Sequence, residues 1–302
     1  MFPGTALLNG FGRTIGDSIM GLQALEIALE LGALPQPVVG YRLSGFSPLL
    51  PEIYALASDL LTIRDLPHEC ATPDIPFPPA QDHAHVIDIR DFAFDPAFRG
   101  IAMVDYFLRK LGVDPATVPG PSKRNRWLEK RLTPRRRNDV HGNYVLICPK
   151  SSTPLRDMPG AVQQHIVGWL KERGQNVRTQ KLPATLSMPG VVEERQAANF
   201  ADLCSIVASA KAIVSTDTAM IHLADAFAVP CLAFFVTHRP EWRVRDYPKC
   251  VAVYRPAPEL EPAMEFFRDE RDIEAAQRAW MSDPDFAWLN GALDGFFRQF
   301  RV

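Results

Sequence analysis

At the start of the chain, two short apolar runs are separated by a segment whose apolar and polar positions alternate with the period of a helix. An apolar run at residues 6–8 precedes a glycine-bearing turn at 9–16. Through residues 17–32 the apolar positions recur every three or four residues, which is the spacing of a helix face. A second apolar run, PVVGY, follows at 37–41. The order strand, glycine loop, helix, strand predicts the start of a parallel sheet.

The pattern is harder to interpret further along. Residues 48–79 are rich in proline and predict a functional loop, with one short helix at 56–60. The run HVIDIR at 85–90 predicts a buried strand. An amphipathic helix is predicted at 101–113, and Asp114 followed by proline ends it.

The second half alternates more regularly. The predicted strands are 144–148, 176–180, 211–215 and 230–235, and the predicted helices are 159–174, 199–210 and 216–229. This rhythm is typical of a Rossmann-like domain. A polar segment before the strand at 144 puts a domain boundary near residue 140, which predicts domains 1–140 and 141–283. The remaining C-terminal segment is predicted to be helical.

Composition narrows the class of protein. With 302 residues and 47% hydrophobic side chains the chain can bury two cores, and a net charge of -2 argues against a nucleic-acid-binding protein. Its five cysteines form no CxxC pair, which favours reduced thiols. The opening residues lack a basic and apolar leader, and no later run is long enough to span a bilayer. We therefore expect a soluble cytoplasmic protein.

One local charge excess stands out. The segment KRNRWLEKRLTPRRR, residues 123–137, carries eight Lys or Arg residues against one Glu. It is either a solvated helix and linker, or a surface that attracts an anionic partner such as a phosphorylated glycolipid. A third interpretation is peripheral contact with the inner membrane, at about 1 kcal/mol per basic residue near the lipid.

The sharpest chemical signal lies in residues 210–230. A buried strand ends and a helix begins within Thr216, Asp217 and Thr218. The first amides of a helix have no partner inside it, so they favour a phosphate at the carboxyl edge of the sheet. The alternative is that these side chains only cap the helix. His222 lies one turn further on the same face, where a packed, hydrogen-bonded histidine is the alternative to a functional one.

Three motifs resemble glycosyltransferase family 9, the heptosyltransferases that build the lipopolysaccharide core. STDTAMIHLADAFAVPCLAFF at 215–235 resembles the family's (S/N)DTGxxHLAAAxGxPxxALF segment. GRTIGDSIMGLQAL at 12–25 resembles its N-terminal GalGDvlxxxPaL, and CPKSSTPLRDMP at 148–159 resembles its hpgtsxxxKxWP loop. The resemblance covers most of the C-terminal half and the first strand, loop and helix, but little between residues 40 and 143.

The resemblance implies an α/β protein of the GT-B fold, with two Rossmann-like domains facing an interdomain cleft. It also implies that a C-terminal helix, at about 284–302, returns to the first domain. The implied activity is inverting transfer of a sugar, a heptose, from an ADP-linked nucleotide-diphosphate donor to a saccharide or glycolipid acceptor such as lipopolysaccharide core. No metal ion and no cofactor beyond this co-substrate are expected.

Carried onto this sequence, the resemblance makes Asp17 the candidate catalytic base. An inverting displacement needs one carboxylate to accept the proton of the acceptor hydroxyl. The alternative is a helix-capping aspartate without a catalytic role.

The resemblance also implies a donor site. Its expected residues are Lys150, Ser151, Ser152, Arg156, Thr216, Asp217, Thr218, Ala219 and His222. Arg156 stands where the family has a phosphate-binding lysine, and Lys150 is the alternative cation. Ala219 replaces a family glycine, and Glu193 or Glu194 is the nearest match to the family's GgpxE glutamate.

Other signals are weaker. The early glycines do not make GxGxxG, which argues against a dinucleotide oxidoreductase, and DHAH at 82–85 is better explained by loop histidines than by a metal site. Two rival functions remain open. One is a sugar-nucleotide epimerase or hydrolase of the same fold, and the other is a non-catalytic nucleotide-sugar-binding protein.

Overall fold

The chain forms two compact units, Met1–Thr133 and Pro134–Val302. The structure is a computed structural model that describes residues 2–43, 47–134, 143–180, 190–194 and 196–302. Each unit has a parallel sheet with helices packed on it.

The first unit has a four-stranded parallel sheet in the order β3-β2-β1-β4. Its elements are β1 Phe2–Leu8, α1 Ile15–Glu30, β2 Val38–Arg42, α2 Leu50–Leu56, β3 Thr62–Asp65, α3 Pro78–Gln81, β4 His83–Asp88, α4 Met103–Lys110 and α5 Arg126–Arg131. The β-α-β start that the sequence predicts is confirmed, because β1 pairs in parallel with β2 after the crossover through α1.

Helix α1 is the centre of the first unit. Its residues from 18 to 28 are all buried, since α2, α4 and α5 pack around it. The indole Nε1 of Trp127 on α5 donates to the Ile19 carbonyl at 2.9 Å, and the backbone N–H of Trp127 donates to Gln23 Oε1 at 3.1 Å. These bonds tie the end of this unit to the helix that begins just after the glycine loop.

Three predictions for this unit need correction. The short helix expected at 56–60 lies earlier, as α2, where Pro51 occupies the first turn. Strand β3 was not predicted, because its side chains are mostly exposed and carry no apolar run. Strand β4 is not buried as predicted, since it is an edge strand and leaves His85 and Val86 exposed.

The second unit has a six-stranded parallel sheet in the order β10-β9-β8-β5-β6-β7. Its elements are β5 Tyr144–Cys148, α6 Gly160–Glu172, β6 Asn176–Thr179, β7 Val191–Glu193, α7 Phe200–Ser209, β8 Ala212–Thr216, α8 Ala219–Ala226, β9 Cys231–Phe235, β10 Cys250–Tyr254, α9 Glu270–Trp280 and α10 Ala287–Phe300. The predicted Rossmann-like rhythm is confirmed, and β5, β8 and β9 at its centre are buried along their whole length.

The C-terminal helix belongs to the second unit. Leu289, Leu293 and Phe296 of α10 are buried in the same core as Val145 and Val214 of the sheet. The expectation that this helix returns to the first domain is therefore wrong. The apolar positions of α10 recur at helical spacing and pack against the apolar face of α6. There the rings of Trp169 on α6 and Phe297 on α10 lie 5.1 Å apart.

Three basic residues in the described part of the basic segment are ion-paired within the first unit. Lys123 is buried and bonds Asp105 at 2.8 Å, while Lys130 and Arg131 both bond Glu26. Arg135, Arg136 and Arg137 lie outside the described residues. Within the part of the chain that the structure covers, no helix has both the length and the apolar character needed to cross a bilayer.

Candidate functional site

The carboxyl end of β8 carries the residues of the strongest motif. Thr216 and Asp217 are buried, and the backbone becomes helical at Ala219. Thr218 is the N-cap residue, with extended φ and ψ of -153° and 168°, yet its side chain forms no capping hydrogen bond with the helix. Thr218 and Ala219 are only partly buried. The first amides of α8 are therefore not hydrogen-bonded to the cap side chain, as an anion site requires.

Asp217 is held by two side chains, those of Arg156 and His238. Its Oδ2 lies 3.4 Å from Arg156 Nη1 and 3.2 Å from His238 Nδ1. Burial by itself raises the pKa of Asp217, but the charge of Arg156 and the hydrogen bond from His238 outweigh it and hold that pKa far below its usual range. The carboxylate therefore stays charged and orients Arg156.

A second carboxylate, that of Glu265, contacts the same two side chains. Its Oε1 lies 3.0 Å from both His238 Nε2 and Arg243 Nη2, and its Oε2 lies 3.5 Å from Arg156 Nη1. Burial raises the pKa of Glu265, yet His238 and the two arginines lower it well below the usual range. We call Arg156, Asp217, His238, Arg243 and Glu265 the ion cluster.

Arg156 is also anchored by its neighbours in the loop after β5. Its Nη2 donates to Ser152 Oγ at 2.9 Å, and its backbone carbonyl accepts a hydrogen bond from the hydroxyl of Thr216. The structure therefore brings Ser152, Arg156, Thr216 and Asp217 together, as the donor-site prediction requires.

Lys150 and Ser151 have other partners. Lys150 Nζ bonds Asp157 at 2.8 Å, and its side chain remains 43% exposed. The Ser151 amide donates to the same carboxylate, while its hydroxyl donates to the Thr153 carbonyl at 2.8 Å. These two residues shape the loop, and Arg156 is the cation that enters the ion cluster.

His222 is a packed side chain. It is 3% exposed, and its Nδ1 lies 2.7 Å from the Tyr247 hydroxyl. Burial lowers the pKa of His222 to about 4, against a smaller opposing effect of Asp217. The ring is therefore neutral at pH 7 and supports the first turns of α8 from inside the unit.

The sequence did not reveal His238, Arg243 or Glu265. His238 follows β9 at the carboxyl edge of the sheet, where α/β proteins bind ligands, and that position was the available signal. No such positional signal marked Arg243 or Glu265. Of the two candidate glutamates, Glu193 is exposed, whereas Glu194 is buried and bonds Arg178 Nη1 at 2.8 Å.

In the first unit, Asp17 lies in the first turn of α1. The cap residue is Thr14, whose hydroxyl accepts from the Asp17 amide at 3.3 Å and donates to Asp17 Oδ2 at 2.7 Å. Asp17 is partly exposed. Its carboxylate is thus oriented by the cap, which suits a base as well as a helix-starting residue.

The loop before α1 has an unusual backbone. Asn9, Gly10, Phe11 and Gly12 all have positive φ, between 44° and 83°. A methyl group on Gly12 would lie 2.9 Å from the Phe92 ring and 3.3 Å from Asp17 Oδ2. The left-handed run therefore brings the chain close to the carboxylate at a point where only glycine fits.

Among the described residues, no group of three His, Cys, Asp or Glu side chains is arranged to hold a metal ion.

The sequence model of glycosyltransferase family 9 (heptosyltransferase) matches residues 123–254. The matched segment is less than half of the chain. The segment contains all nine predicted donor-site residues, while Asp17 precedes it. No curated protein matches the chain by sequence.

Solved structures share the fold over most of the chain. E. coli heptosyltransferase WaaC with ADP-2-deoxy-2-fluoro heptose is 12% identical with a TM-score of 0.54, covering 82% of this chain and 92% of that one. The iron-containing dodecameric glycosyltransferase TibC from enterotoxigenic E. coli H10407 is 15% identical with a TM-score of 0.66, covering 98% and 77%. E. coli ADP-heptose lps heptosyltransferase II is 13% identical with a TM-score of 0.54, covering 92% and 98%.

These comparisons support one conclusion on the fold. The two Rossmann-like parallel sheets are those of the GT-B fold, and residues 123–254 are similar to glycosyltransferase family 9.

Proposed function

We propose that the chain is an inverting glycosyltransferase that moves a heptose from ADP-heptose to a saccharide or glycolipid acceptor of the lipopolysaccharide-core class, in the cytoplasm. The observation that carries this proposal is the uncapped start of α8 beside Arg156, inside the family 9 segment. The donor class is further supported by relatives of this fold, since WaaC was solved with ADP and TibC in complex with ADP-D-beta-D-heptose.

On the donor side, the first amides of α8 and the guanidinium of Arg156 bind the diphosphate. Asp217 and Ser152 hold the guanidinium of Arg156 in position. Charge that develops on the departing phosphate oxygen meets donors that are already oriented, which lowers the barrier of the transfer. The nucleoside diphosphate then leaves with the electron pair of the broken C–O bond.

On the acceptor side, Asp17 accepts the proton of the attacking hydroxyl. As that oxygen bonds to the anomeric carbon, the carbon–oxygen bond to the phosphate breaks on the opposite face, so the configuration inverts. The hydrogen bond from Thr14 fixes one carboxylate oxygen, Oδ2, and so sets the direction of the other.

The substitution Asp17→Asn tests this assignment. The amide cannot accept the proton, so transfer is expected to fall by about 100-fold or more. ADP affinity, measured by calorimetry, is expected to stay within about twofold, because the donor residues are unchanged. Asp114→Asn is the matched control, since Asp114 also accepts a capping bond from a backbone amide in this unit, and Asn can do the same.

Thermal shifts with ADP-, GDP- and UDP-sugars test the donor. The expected result is a shift for ADP-heptose, with ADP release only when acceptor is present. Turnover of donor without acceptor, or a shift without any ADP release, would instead identify an epimerase or hydrolase, or a binding protein, and would contradict the proposal.

A further inference from the structure

Three nitrogen-bearing side chains of the ion cluster, those of Arg156, His238 and Arg243, converge on one carboxylate, that of Glu265. Arg156 comes from the loop after β5, while His238 and Arg243 come from the segment after β9. All three are almost completely buried, with side chains 11%, 1% and 4% exposed. Such convergence of donors from separate loops at the carboxyl edge of a parallel sheet is the geometry of an oxyanion site.

The two carboxylates of the cluster differ in how they are held. Asp217 is 5% exposed and lies at the fixed junction of β8 and α8. Glu265 is 20% exposed and lies in an irregular segment between β10 and α9. This segment reaches the cluster through Ala263, which has a positive φ of 62° and donates its amide to the Thr237 carbonyl at 2.9 Å. Glu265 is thus the more exposed of the two carboxylates and lies outside the helices and strands.

The charges of the cluster also differ with and without Glu265. The two arginines, Arg156 and Arg243, face the two carboxylates of Asp217 and Glu265. If Glu265 withdraws, these buried arginines lose one of the negative charges that they contact. Buried positive charge is costly without such a contact, so the withdrawal of Glu265 favours the entry of another anion.

We propose that Arg156, His238 and Arg243 form a phosphate subsite for the donor diphosphate, and that Glu265 occupies this subsite until the phosphate displaces it. The assignment of the phosphate to a sugar donor rests on the proposed function, but binding of a diphosphate does not. His238 and Arg243 are then binding residues, and Glu265 is an internal competitor for their hydrogen bonds.

The substitution Glu265→Gln tests this proposal, because the proposal predicts a rise in affinity where a merely structural role predicts a fall. Glutamine has the same shape but no charge, so it competes less well with phosphate. Affinity for pyrophosphate and for ADP, measured by calorimetry on the full chain, is expected to rise by about fivefold or more. If Glu265 served only to position Arg156 and Arg243, the same substitution would lower affinity.

Two further variants complete the test. Arg243→Met is expected to weaken both ligands by about tenfold, because it removes a charged donor while keeping an apolar stem. Glu261→Gln is the matched control in the same segment, since Glu261 is 72% exposed and only 3.8 Å from Arg268, and it is expected to change nothing. If Glu265→Gln does not fold, Arg243→Lys takes its place, with an expected severalfold loss.

The outcomes separate this inference from the proposed function. Wild-type protein that binds pyrophosphate, together with tighter binding by Glu265→Gln, supports the subsite even if no sugar is transferred. Unchanged or weaker binding by Glu265→Gln, or unchanged binding by Arg243→Met, overturns it. ADP-heptose turnover in the wild type would then leave the proposed function intact.

Discussion

At the scale of single residues, His222 couples stability to pH. Its pKa is about 4 in the folded chain and about 6.5 in the unfolded chain, so below pH 6.5 the unfolded state takes up a proton that the folded state refuses. The stabilisation is complete above pH 6.5 and is lost as the pH falls towards 4. At pH 5 the loss is about 2 kcal/mol.

The variant His222→Gln removes this titration and keeps a hydrogen-bond partner for Tyr247. Between about pH 7.5 and 5, its free energy of unfolding is expected to fall less than that of the wild type by about 2 kcal/mol. Urea denaturation at the two pH values measures the difference. Equal losses in both proteins would mean that His222 is protonated in the folded chain.

Which site residues the sequence could reveal depends on how local their contacts are. Thr216 and Asp217 were predictable because the strand-to-helix junction that positions them is formed by consecutive residues. Glu265 was not, because its contact with Arg243 spans 22 residues and depends on an irregular turn at Ala263. Ser151 was matched by motif, but its hydroxyl is used within its own turn.

At the scale of elements, the start of α8 differs from that of α7. Asn199 caps α7 by accepting from the Asp202 amide at 2.8 Å, whereas Thr218 forms no such bond. Asn199→Ala is therefore expected to cost about 1 kcal/mol of stability, and Thr218→Ala much less.

The same pair of variants separates capping from ligand binding. Thr218→Ala is expected to weaken ADP severalfold, because a hydroxyl beside the amides is lost, while Asn199→Ala leaves ADP affinity unchanged. Chemical denaturation measures the stability of both variants, and calorimetry measures their affinity for ADP. A large loss of stability in Thr218→Ala without loss of affinity would show that Thr218 only caps the helix.

Element prediction succeeded in the buried centre of each sheet and failed at the edges. β5, β8 and β9 are continuous apolar runs, so their periodicity was clear. β3 and β7 are short edge strands with exposed side chains, so their pairing is fixed by neighbouring strands and not by their own sequence.

At the scale of the whole molecule, α10 decides which unit the C-terminus stabilises. Leu293 is completely buried in the second core, so Leu293→Ala is expected to cost about 2–5 kcal/mol. Gln299→Ala on the exposed face of the same helix is the control, with a change below about 0.5 kcal/mol. Chemical denaturation measures both, and a small loss in Leu293→Ala would contradict the placement of α10 in that core.

The fold class was predictable because both units repeat the β-α-β rhythm, whereas the place of α10 was not. An apolar stripe shows that a helix packs against something, but it does not identify the partner. Here the contact between Trp169 and Phe297 fixes it.

The left-handed run at residues 9–12 has a consequence for engineering. One of its members, Phe11, carries a bulky side chain in a conformation that costs such residues about 1 kcal/mol or more. Glycine at position 11 would remove that cost, but it would also remove a completely buried ring that packs on Phe107. Laboratory selection for heat resistance alone is therefore expected to retain Phe11.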